Sequence, residues 1–270
     1  MAENIKSGKW IYTLLRVLLF CLSCAIVLAA TSRLTQGWPG SKWVSIVSIA
    51  IAAAGSLVLT ILFVRWERLK LKDVGVVPVN KSILRLFTGF VIGLFLAGMQ
   101  PMLVLLSGHI SLISNQINIA SVSINLLLYL FIAGREEVAF RGYPLRSLNY
   151  VIGPWGAQLI VALIFAAEHR IGGMTWLQAI FGPGVGALLF GLAALKTKGI
   201  ALPIGLHTAW NFGQWVLGFK DGTGLYKVVI EKGYEARADH AGWISYLLVM
   251  CLAILTFYFW KPRERPLMAY

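Results

Sequence analysis

The stretch Gly134-Arg135-Glu136-Glu137-Val138-Ala139-Phe140-Arg141 follows without interruption on Ile124-Asn125-Leu126-Leu127-Leu128-Tyr129-Leu130-Phe131-Ile132-Ala133. Four charges therefore stand where lipid-like sequence has barely ended. A charged side chain at the centre of a membrane helix costs roughly 3 kcal/mol on insertion scales, so such groups face a protein interior or a water-filled cavity. On a helix Glu137 and Arg141 are four apart with the acid first, the favourable order for an ion pair. Glu136 is turned about 100° away and has no such partner. One glutamate reads as structural and the other as free.

Working outward, the rest of the chain is of the same apolar kind. Its 270 residues are 58% hydrophobic and only 13% charged, with a mean hydropathy of +0.76, far from a soluble domain. Apolar segments occupy about 10–30, 43–64, 83–107, 122–133, 154–167, 175–195, 200–217 and 243–260. Each approaches the ~20 residues that a bilayer-spanning helix needs, the fourth and fifth only by including charged or histidine-containing turns. The expectation is an all-α polytopic membrane protein: about eight transmembrane helices enclosing a polar cavity, in a single domain over 1–270.

Lys6 and Lys9 before the first apolar run admit a secretory signal, but the run is long, carries Arg16 and precedes seven more, which favours an uncleaved anchor. Counting Lys and Arg between segments gives 16 on the side of the N-terminus, among them Arg135, Arg141, Arg146, Arg263 and Arg265, against 7 on the other. Both termini are expected to be cytoplasmic in the cell membrane. The net charge of +13 is then topology and attraction to anionic lipid, with no nucleic-acid partner expected. Cys21 and Cys24 lie inside an apolar helix with no other ligand nearby, so packing is the reading for them and for Cys251.

Polar residues inside the later segments carry the chemistry. The fifth ends Phe165-Ala166-Ala167-Glu168-His169, and the seventh contains His207-Thr208-Ala209-Trp210-Asn211, in which His207 and Asn211 share a helix face. Each alone would be an ordinary helix-bridging residue; two glutamates, two histidines and an asparagine together are less easily explained that way. His109 and His240 read as loop residues without a role. The glycines at 182, 184, 186 and 191 read as helix-packing positions, and Pro183 and Pro203 as kinks.

At these residues the sequence resembles the CPBP glutamic intramembrane proteases, which include the eukaryotic CAAX prenyl endopeptidase and bacterial Abi-type immunity and processing proteins. The family's E-E-x-x-x-R, F-x-x-x-H and H-x-x-x-N patterns appear in order as Glu136-Glu137-x-x-x-Arg141, Phe165-x-x-x-His169 and His207-x-x-x-Asn211, with a family-like core over about 122–217. The resemblance implies that Glu136, helped by His169, activates a water; that His207 and Asn211 donate to the oxyanion on the scissile carbonyl; and that Glu137 with Arg141 supports them. Substrates would be peptides or proteins at the membrane, CAAX-like tails included, with no cofactor. Glu168 has no place in the pattern.

Other readings stay open beside it: a transporter relaying protons through Glu and His, a scaffold or immunity protein without turnover, and a zinc enzyme with Glu136, His169 and His207 as ligands. No internal repeat supports the transporter, and no H-E-x-x-H helix supports zinc. The segment boundaries also conflict, for they put Glu136 and His169 near opposite ends of their spans. The expected repair is that the fourth span continues through Arg141 toward Arg146, with an embedded, irregular stretch from Tyr143 to Gly153.

Overall fold

The apolar runs form helices in the computed structural model, which describes residues 9–39, 42–116 and 119–261; Lys6, Arg263 and Arg265 lie outside them. The first three helices, α1 (Lys9–Thr35), α2 (Lys42–Trp66) and α3 (Ser82–Leu105), turn residues such as Leu15, Leu22, Phe87 and Phe95 outward. That surface suits hydrocarbon, which is as apolar as the side chains themselves.

The fourth helix, α4 (Ile119–Glu137), runs through one π-turn (Val138–Gly142) into α5 (Tyr143–Ile171). Arg135 and Glu168 are 33 residues apart in this run, which a straight helix would spread over about 50 Å. Yet Arg135 Nη1 lies 2.5 Å from Glu168 Oε1. The chain must double back between them, and it does so at Gly153, whose φ of 77° and ψ of 173° interrupt the helix just before Pro154. Span four thus continues through Arg141 and Arg146, as expected, but Tyr143 to Leu148 are regular, buried helix, and between Tyr143 and Gly153 only Gly153 departs from helical backbone.

Beyond α5 come α6 (Trp176–Ala179), a second π-turn (Ile180–Gly184) that holds Pro183, then α7 (Val185–Thr197), α8 (Ala201–Val216) and α9 (Glu235–Phe259). Pro203 does not kink α8, because it falls in the first turn, where its missing N–H has no carbonyl to serve. Among the described residues, six helical runs are long and apolar enough to cross a bilayer, against the eight segments expected. The folded-back run from Ile119 to Ile171 counts once, and the 16 residues of α8 reach only about 24 Å.

The sequence reading anticipated no strand. β1 (Ile110–Ser114) and β2 (Tyr226–Ile230) pair antiparallel, with Ile110 opposite Ile230, beyond the ends of α3 and α8. His109, which precedes β1, stacks on Tyr234 and sits 2.6 Å from Glu231. His240 lies in α9 rather than in a loop.

The closest helix pair is α3 with α8. A Cβ on Gly205 would come within 2.0 Å of the Leu86 carbonyl oxygen, and one on Gly89 within 2.2 Å of that of Leu202. Only glycine allows backbones so near, and the contact holds α8 in place with His207 and Asn211 on its inner side. At the end of the bundle opposite the sheet, Arg16 bonds Glu67, Ser147 donates to the same carboxylate, and Arg146 donates to the Ala194 carbonyl. Arg135, Arg141 and Arg146 are therefore buried in helices and do not belong in a count of loop charges. The remaining basic residues of the α2–α3 loop still lie at that end.

Candidate active site

The π-turn begins directly after Glu137, and the extra residue it inserts shifts the helix face below the two glutamates. Arg141 falls inside it, with its guanidinium 3.3 Å from Glu137 and 4.6 Å above the Phe165 ring, while Phe140 and Phe190 approach from other sides. Both members of this pair are 0% exposed. A buried cation faced by three rings and one carboxylate is held by charge and ring quadrupoles together.

Glu137 has a second contact that no spacing in the chain reveals: its Oε1 lies 3.0 Å from His207 Nδ1. A carboxylate in an ion pair only accepts, so Nδ1 carries the hydrogen and the ring is fixed with Nε2 pointing the other way. That nitrogen lies 3.6 Å from Glu136 Oε2. Phe190 stacks on the imidazole at 4.5 Å and fixes its plane. His207 thus stands between two carboxylates.

On α5, His169 Nδ1 lies 2.9 Å from the Phe165 carbonyl oxygen. A carbonyl accepts only, so this Nδ1 also carries hydrogen, and in the neutral ring Nε2 keeps its lone pair. On α8, Asn211 Oδ1 accepts from Lys220 Nζ at 2.9 Å. Ammonium can only donate, so the amide oxygen must face the lysine and the NH₂ group is left to donate elsewhere. Lys220 also stands 5.0 Å over the Tyr129 ring. Although its chain is exposed as a whole, desolvation of the ammonium end holds it below the ordinary lysine range, against the pull of Glu136 and Asp221.

All four residues singled out from the sequence, Glu136, His169, His207 and Asn211, line one cavity of about 240 Å³. Gly182, Gly186, Phe190, Tyr246 and Lys220 also line it, and Met174 and Lys220 bring it to the loops at the end that carries the sheet. The Gly182 carbonyl accepts from the Tyr246 hydroxyl at 2.6 Å, while Gly191 gives room to Gln158, whose Oε1 a Cβ there would approach to 2.6 Å. Glu168, without a role in sequence, pairs with Arg135, which lies 3.9 Å from Glu136 and braces the motif helix against α5. Lys220 and Tyr246 could not be found from spacing, because both reach the site from segments outside every motif. Among the described residues no group of three His, Cys, Asp or Glu is arranged to hold a metal ion.

Residues 118–213 match the family model described as type II CAAX prenyl endopeptidase Rce1-like. No curated protein matches the chain. The matched segment spans Glu136, His169, His207 and Asn211, the residues that meet in the cavity. The similarity to CAAX prenyl endopeptidases thus covers about a third of the chain, and that third supplies most of the residues that line the cavity.

Proposed function

We propose that the protein is an intramembrane endopeptidase in which Glu136 activates a water without a metal. The observation that carries the reading is the convergence of Glu136, His169, His207 and Asn211 on one cavity inside a membrane bundle. Glu136 removes a proton from a water whose other hydrogen is accepted by His169 Nε2. The hydroxide adds to the scissile carbonyl carbon, and the carbonyl electron pair moves onto oxygen. His207 Nε2–H and the Asn211 NH₂ donate to that oxyanion, a contribution of about 3 kcal/mol per donor in a site poor in water. Collapse re-forms the carbonyl and breaks the C–N bond, and the proton held by Glu136 leaves on the amine.

Two further residues act through these. Glu137 holds His207 by Nδ1, and Lys220 holds the amide of Asn211 with its NH₂ group toward the cavity. The substrate class is a peptide or protein at the membrane, with a CAAX-like tail as the family's example.

The test is cleavage of a membrane-proximal peptide by purified protein reconstituted in lipid. Glu136→Gln should lower the rate by about 10²- to 10⁴-fold, the range for a lost general base, with the folded yield unchanged. Wild-type activity should survive strong chelators. Activity that vanishes with chelator and returns with Zn²⁺ would replace the glutamate mechanism by a zinc one on the same residues. Absence of cleavage in every reconstitution, with Glu136→Gln indistinguishable from wild type, would favour the non-catalytic scaffold.

A further inference from the structure

At the end of the bundle away from the cavity, the start of α3, the end of α7 and the end of α9 enclose a separate cleft of about 430 Å³. Its rim carries three cations, Lys81, Arg85 and Lys196, and its wall is apolar, with Leu84, Ile92 and Phe257 among the lining. No acid lines it. Among the described residues, the acids near this end are already engaged: Glu67 by Arg16 and Ser147, Asp73 by the Lys70 backbone N–H. Two of the cations are held in place. Arg85 donates to the Thr197 carbonyl at 2.8 Å, and Lys196 bridges the carbonyls of Tyr258 and Trp260 at 2.9 Å each. Each of those groups keeps further N–H donors unspent.

Depth fits a headgroup. Exposed Trp10, Trp66, Trp155 and Trp260 ring this end of the bundle, and such indoles sit at the level where hydrocarbon meets lipid headgroups. Cations at that level above an apolar slot match a molecule that is anionic at one end and hydrocarbon at the other. We propose that this cleft binds an anionic phospholipid, its phosphate among Lys81, Arg85 and Lys196 and one acyl chain along Leu84, Ile92 and Phe257. The inference stands apart from the peptidase reading, since the two sites share no lining residue.

Native mass spectrometry of the whole protein in detergent tests it. The protein is titrated with phosphatidylglycerol or with phosphatidylcholine of the same acyl chains. Phosphatidylglycerol should bind at least tenfold more tightly. A cation near the surface is worth about fivefold in such binding. Lys81→Gln should therefore weaken phosphatidylglycerol about fivefold, and Lys81→Gln with Arg85→Gln about 25-fold, while phosphatidylcholine changes little. Thr88→Trp, which fills the slot from an exposed position, should weaken both lipids. Lys81 is exposed at the start of α3, so its substitution separates lost binding from lost folding, and thermal unfolding in detergent checks this. Equal binding of the two lipids, or unchanged phosphatidylglycerol affinity in the double variant, would overturn the proposal. Displacement of phosphatidylglycerol by millimolar inorganic phosphate would overturn it as well, since the site would then take an anion and not a lipid.

Discussion

Glu136 and Glu137 are neighbours in sequence with unlike surroundings: Glu136 lines the cavity, and Glu137 lies behind it. Glu137 is fully buried between Arg141 and His207, so Arg141→Ala would leave a buried carboxylate short of its cation, a loss of about 3 to 5 kcal/mol. The yield of folded protein extracted from membranes should fall for Arg141→Ala and Glu137→Gln and stay near wild type for Glu136→Gln. Equal losses in all three would mean that one structural cluster had been divided into two roles. Lys220 gives a second residue-scale prediction. Its ammonium titrates below the ordinary lysine value, so the charge is present at low pH and is lost as pH rises through that lowered value. Peptidase activity should therefore decline on the alkaline side, and Lys220→Arg, whose guanidinium keeps its proton, should hold activity there. Lys220→Met should lower the rate at every pH. An alkaline limb identical in wild type and Lys220→Arg would remove the lysine from the site's working parts.

Among the elements, the α3–α8 contact and the reversal at Gly153 position everything else. The backbone of α8 can present His207 and Asn211 only while it lies against α3. Gly205→Ala, whose Cβ would meet the Leu86 carbonyl oxygen at 2.0 Å, should destabilise by about 1 to 3 kcal/mol and lower the unfolding temperature in detergent. Gly98→Ala is the control on α3: nothing lies within 4 Å of its Cβ, and alanine should be neutral or stabilising by up to about 1 kcal/mol. The reversal, in turn, brings the end of α5 back beside Glu136. Without it Arg135 and Glu168 would be helix lengths apart.

For the molecule as a whole, orientation in the membrane bears on the substrate. The basic end, with the α2–α3 loop, should face the cytoplasm by the positive-inside rule. The cavity reaches the opposite end, at Met174 and Lys220. On that reading a peptide enters from outside, unlike a cytoplasmic CAAX tail. Single cysteines test this in intact cells after replacement of the native three. Cysteine at Lys72 should resist an impermeant maleimide, and cysteine at Lys232 should react; the reverse pattern would turn the protein over and bring the cavity to the cytoplasm.

Composition and hydropathy by themselves determined that this chain is a helical membrane protein, because some twenty consecutive apolar residues have few other stable destinations. The isolated charges at 135–141 and the i, i+4 pair His207 and Asn211 stood out as candidates, because polar groups amid lipid-like sequence need a compensating partner or a cavity. What the tertiary structure decided lies in contacts between residues far apart in the chain. Gly153 turned an apparent conflict of depth into a common site, a choice that glycine permits but does not impose. Glu137 proved to hold His207 across 70 residues, and Glu168 found Arg135 across 33. Lys220 joined from a loop with no periodicity to read, and β1 paired with β2 across more than 100 residues of chain, which spacing alone does not show. Local pattern fixes which residues resist burial; which of them meet depends on how the helices turn and cross, and that is set by close backbone approaches such as Gly205 against Leu86.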